Sequence, residues 1–83
     1  MSTKILVVDD DKTNLTLAQK ILSEEYNVAA AISGEAALKY LENHRPNMIL
    51  LDILMPGKDG FEVMEAIRED EELSKIPVMF LTA

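Results

Sequence analysis

The sequence predicts an α/β fold: one parallel sheet with helices on both faces. Three observations predict it. Short, unbroken apolar runs recur at residues 5–8 (ILVV), 48–51 (MILL) and 77–81 (PVMFL). Segments with apolar residues every three or four positions lie between them, and the connections are only a few residues long. Strand–helix alternation of this kind is satisfied by parallel strands joined through right-handed crossovers.

The run at 5–8 is β-branched and ended by three aspartates, so it reads as a strand buried on both faces. A helix is predicted from about residue 13 to residue 25, with Leu15, Ala18 and Leu22 on one face and Ile21 beside them. Val28-Ala29-Ala30-Ala31 is ambiguous by composition, and its place between two helix signals makes it a strand. Ser33 is a good N-cap for a second helix with Ala37, Leu38 and Leu41 as its apolar stripe, and Pro46 stops anything helical before it. Residues 48–51 give a second strong strand, ended by Asp52. The stretch 55–60 (MPGKDG) is loop chemistry, and Asp59 with Glu62 has the spacing of a capping box. A third helix follows with Phe61, Met64 and Ile67 facing inward, and residues 77–81 form the last strand, leading to Thr82. The order is βαβαβαβ.

Eighty-three residues hold one domain, spanning 1–83, with a thin margin of buried surface. Apolar residues at 48% and charged residues at 28% describe a globular chain rather than a disordered one. The absence of cysteine excludes a disulfide framework and a thiolate metal site, and fits a reducing cytoplasm. A net charge of −7 disfavours direct nucleic-acid binding and suits divalent cations. The first apolar run is too short for a signal peptide or a membrane span, so the chain is expected to be cytoplasmic and not membrane-bound.

In a parallel α/β sheet, ligands bind at the carboxyl ends of the strands. Asp9 and Asp10 follow the first strand, Asp52 ends the third and Thr82 follows the fourth. Carboxylates brought to one edge repel each other unless a cation lies between them, and donors that are all oxygen favour a hard ion such as Mg²⁺. An aspartate beside Mg²⁺ can attack phosphorus to form an acyl phosphate, and the Thr82 hydroxyl can donate to one of the phosphoryl oxygens. Simpler roles suit the other polar groups. Asp11 reads as a helix cap, Asp59 as a structural residue next to Gly60, His44 as a solvated surface group, and residues 69–72 (EDEE) as a solvated helix end. The five methionines read mainly as core fillers.

Val7-Val8-Asp9-Asp10, the LDxxMPxxDGxE segment from Leu51 to Glu62, and the run from Ile76 to Ala83 resemble the receiver domains of two-component response regulators. The resemblance runs along the whole chain in order. It implies a flavodoxin-like fold with strand order 2-1-3-4-5. It also implies that Asp52 takes a phosphoryl group from the histidine of a sensor histidine kinase or phosphotransfer protein. Mg²⁺ would be held by Asp10, Asp52 and the backbone carbonyl of Leu54, with Asp9 acting through water. Thr82 would be the switch hydroxyl, and Pro56 and Gly60 would shape the loop after Asp52.

The resemblance also implies a lysine before a fifth strand, and no lysine follows Thr82 here. The expectation is therefore a receiver truncated after its fourth strand and lacking the last helix–strand–helix, which binds Mg²⁺ weakly and is phosphorylated poorly. An exposed fourth strand would favour homo-oligomers or domain swapping, so assembly is a second expected role. A third reading is a haloacid-dehalogenase-like phosphatase, because residues 7–13 (VVDDDKT) fit hhDxDxT with Asp9 as nucleophile and Asp11 as general acid. That reading leaves Asp52 and the loop after it without a role.

Overall fold

Ile5, Val7 and Val8 are β-branched and lie too close together for a helical stripe, so this stretch is extended: β1 runs Lys4–Val8. The computed structural model describes residues 3–52 and 60–81. After β1 come α1 (Lys12–Leu22), β2 (Asn27–Ala31), α2 (Gly34–Leu41), β3 (Met48–Asp52), α3 (Gly60–Glu69), a short 3-10 turn (Leu73–Lys75) and β4 (Val78–Leu81). The strands form one parallel sheet in the order β2-β1-β3-β4. Its centre is β1, which explains why that strand is almost wholly buried.

Strand side chains alternate between the two faces. Leu6, Val8, Ile49 and Leu51 point to the side covered by α2 and α3, where they pack with Ala37, Leu41, Val63 and Ile67. Ile5 and Val7 point to the other side and pack with Leu15 of α1. Burying a leucine or isoleucine completely stabilises the fold by about 1.5–3 kcal/mol, so the first side carries most of the apolar driving force. β4 lies at the edge of the sheet among the described residues, with Met79 exposed.

Caps fix the helix starts. The Asp11 carboxylate accepts from the N–H groups of Thr13 at 2.8 Å and Asn14 at 3.4 Å. Ser33 Oγ accepts from the N–H of Ala36 at 3.0 Å. At the end of α2, Arg45 donates to the Leu41 carbonyl and binds Glu72 at 2.9 Å, which places a cation where the helix dipole favours it.

Three sequence expectations are corrected. α1 stops at Leu22 rather than reaching Glu25, and the Tyr26 N–H turns back to the Leu22 carbonyl at 2.9 Å. Glu24 and Glu25 would place two negative charges at the negative end of the helix dipole, which disfavours continuation. Ile21 is 60% exposed, because it lies about 100° round the helix from the partly buried Leu22. Phe61 is also exposed: the inward face of α3 is Gly60, Val63 and Ile67, while Met64 is partly buried against the same core. The ring of Phe61 meets Phe80 of β4 instead, with centroids 5.8 Å apart. Asp59 and the loop before α3 lie outside the described residues.

Candidate functional site

The register of the sheet builds the site. Val8 pairs with Leu51, so the next residues, Asp9 and Asp52, leave neighbouring strands at the same edge. The Asp9 N–H donates to the Ala31 carbonyl at 3.1 Å, which holds the end of β1 in line with β2. Asp9, Asp10 and Asp52 then each offer one carboxylate oxygen, and these atoms lie within 4.8 Å of one another. Sequence reasoning placed these three residues at one edge, and the structure brings them together.

Their surroundings differ. Asp9 is buried at 6% exposure. Its Oδ1 accepts from the Asp11 N–H at 3.0 Å and its Oδ2 from Asn14 Nδ2 at 3.3 Å. Both oxygens are thus oriented by the first turn of α1. Asp10 is exposed and Asp52 is half-buried. Asn14 is the contributor that sequence reasoning missed. The available signal was an amide-bearing side chain on the first helical turn, five residues beyond the buried aspartate. Asp11 is the cap of α1, as expected. Its Oδ1 accepts from two backbone N–H groups of the first turn. Thr82 and the Leu54 carbonyl lie outside the described residues.

At 4.8 Å, each pair of carboxylates repels by about 1 kcal/mol in bulk water and by about 3–4 kcal/mol at an effective dielectric constant near 20. A divalent cation among them reverses the sign of that term. The donors are oxygen only, with no His or Cys in the group, which fits a hard cation such as Mg²⁺ and not a thiolate-seeking one. His44 is exposed, stacks on Tyr40 at a centroid distance of 4.2 Å and takes no part in the cluster.

With the fold and this acidic edge in place, comparison with known proteins defines the class. The family model for the response regulator receiver domain matches residues 5–83. The chain belongs to the receiver-domain family of two-component response regulators. The response regulator PleD of Caulobacter vibrioides is 43% identical over 84 residues, a match covering 100% of this chain and 18% of PleD. The N-terminal domain of a response regulator receiver protein from Methanoculleus marisnigri superposes with a TM-score of 0.92 at 40% identity, covering 96% of this chain and 66% of that one. The receiver domain of the sensor histidine kinase PA1611 from Pseudomonas aeruginosa, solved with a magnesium ion coordinated in its active-site cleft, gives a TM-score of 0.94 at 31% identity, covering 100% and 69%. The chain therefore spans less than a fifth of PleD. Among the described residues, no helix is long and apolar enough to cross a membrane.

Proposed function

We propose that this chain is a phosphoacceptor, in which Asp52 takes a phosphoryl group from the phosphohistidine of a sensor kinase or phosphotransfer protein. One observation carries the reading: three carboxylates from two strand ends, with oxygens within 4.8 Å of one another. A carboxylate oxygen of Asp52 forms a bond to phosphorus as the phosphorus–nitrogen bond of the donor breaks. The imidazole leaves and an acyl phosphate remains on Asp52. In-line transfer of this kind needs positioning and charge compensation more than covalent chemistry.

Asp10 and Asp52 would hold Mg²⁺, with the Leu54 carbonyl as a further ligand and Asp9 in support. The ion, when bound, would offset the negative charge of the phosphoryl oxygens. Asp9 is suited to support because its burial and two hydrogen bonds fix its orientation. The Thr82 hydroxyl would donate to a phosphoryl oxygen. The role is signalling, with no turnover beyond gaining and losing the phosphoryl group.

The test is intact-mass analysis of the 83-residue chain after incubation with acetyl phosphate and Mg²⁺. A Mg²⁺-dependent phosphoryl adduct on Asp52 is expected. Asp52→Asn should carry none. An equal adduct on Asp52→Asn, or one indifferent to Mg²⁺, would overturn the assignment.

A further inference from the structure

Among the described residues no strand pairs with the outer edge of β2, and the chemistry of that edge fits a copy of itself. The Asn27 N–H donates to the Thr3 carbonyl at 2.9 Å, and the Ala31 carbonyl accepts from Asp9 at 3.1 Å. Asn27 and Ala31 therefore turn their polar groups toward β1, and Ala29, midway between them, does the same. By alternation, Val28 and Ala30 aim their N–H and C=O groups at the open side. Edge strands are ordinarily blunted by charge, proline or a bulge. Residues 27–32 (NVAAAI) contain neither a charge nor a proline.

Two exposed apolar side chains flank this edge: Tyr26 at 37% and Ile32 at 43% exposure. Both lie on the α1 side of the sheet. Tyr26 shares a depression with Ile5 and Leu22. Ile32 lines a groove of about 370 Å³ with Lys12, Thr16 and Gln19 of α1. We infer that the β2 edge is a homodimer interface, in which β2 strands of two copies pair antiparallel about a two-fold axis at Ala29.

The register follows from the side chains. With the axis at Ala29, Val28 faces Ala30 of the second copy and each pair exchanges two main-chain hydrogen bonds. Tyr26 then faces the second copy's Ile32 at both ends, so the exposed ring drops beside the groove lined by Lys12 and Thr16. An aromatic residue opposite a β-branched one is a favourable cross-strand pair. Shifting the axis one way sets Ile32 against the charged Glu24, and shifting it the other way sets Tyr26 against Gly34 at the start of α2. Only the register at Ala29 satisfies the outward backbone groups and both apolar side chains together. Two copies with a net charge of −7 each also repel, so association should strengthen as salt is added.

Sedimentation velocity of the chain at tens to hundreds of micromolar tests this. The expected result is a reversible dimer that tightens with salt. Ala30→Pro deletes an outward N–H, a change that edge strands tolerate, and should give a monomer with an unchanged circular dichroism spectrum. Cross-linking supplies a readout that survives if that variant unfolds. The chain has no cysteine, and a non-hydrogen-bonded antiparallel pair brings Cα atoms to about 4.5 Å, within disulfide reach. Ala29→Cys should therefore form an interchain disulfide about tenfold or more faster than Val28→Cys, whose thiol would face an alanine. A monomer throughout the concentration range would overturn the inference. So would a dimer in which Ala29→Cys cross-links no faster than Val28→Cys, since another surface would then hold it.

Discussion

Replacing Asp10 with asparagine should stabilise the metal-free protein and at the same time weaken its response to Mg²⁺. Asp10 is the exposed member of the acidic cluster, and none of the hydrogen bonds among the described residues uses its carboxylate. The amide keeps the shape and removes two repulsive pairs, with Asp9 and with Asp52, each spanning up to 4.8 Å. In water, each pair costs about 0.9 kcal/mol, and screening over a Debye length of about 8 Å at physiological salt leaves about half of that. The two together give about 1 kcal/mol, or more to the extent that the strand ends lower the local dielectric constant. For a domain of this size, 1 kcal/mol moves the thermal midpoint by about 4–8 °C. Mg²⁺ at ten times its dissociation constant adds about 1.4 kcal/mol to whichever protein binds it. Thermal melts of both proteins in EDTA and in Mg²⁺ should therefore cross, with the variant higher without the ion and the wild type gaining more from it. Equal or lower stability of Asp10→Asn in EDTA would refute the repulsion argument, and equal gains from Mg²⁺ would refute the ligand assignment.

Other perturbations isolate other parts. Asn14→Ala leaves every carboxylate in place but frees one oxygen of Asp9; calorimetric titration should find Mg²⁺ affinity lowered by about tenfold, as for other residues that orient a ligand. Leu51→Ala empties a site that is 0% exposed, and denaturant melts should record a loss of about 2–5 kcal/mol out of a total of about 4–12 kcal/mol. Glu72→Ala removes only the ion pair with Arg45, whose side chains are 43% and 73% exposed. Its cost should stay below about 1 kcal/mol and fade with salt; a larger loss would mean that the turn before β4 depends on that bridge.

The strands were legible because their burial is written as continuous apolar runs, and β1 and β3 appear nearly where the composition places them. The acidic edge was legible for the same reason. Once two parallel strands end in aspartate, their register brings those ends together. The caps Asp11 and Ser33 followed from local chemistry. The orientation of single apolar residues was less legible. Ile21 and Phe61 sit one position away from a buried stripe, and an isolated sequence does not fix which side of a helix meets the sheet. Asn14 was missed because its amide, five residues beyond Asp9, reaches that carboxylate only through the turn from β1 into α1, a spacing that the usual cap patterns do not include. The 3-10 turn at Leu73–Lys75 has a local origin too, since the Asp70 carboxylate accepts from the N–H groups of Glu72 and Leu73.

Asp9 owes its orientation to the first turn of α1, while α1 itself rests on the thinner of the two packed sides. A cation held by the cluster would therefore also favour an ordered first turn of that helix. Whatever loosens the opening turn disperses the carboxylates, and whatever gathers the carboxylates slows amide exchange along the turn. A charge event at the strand tips would in this way be felt as a change in the breathing of the opening turn of α1.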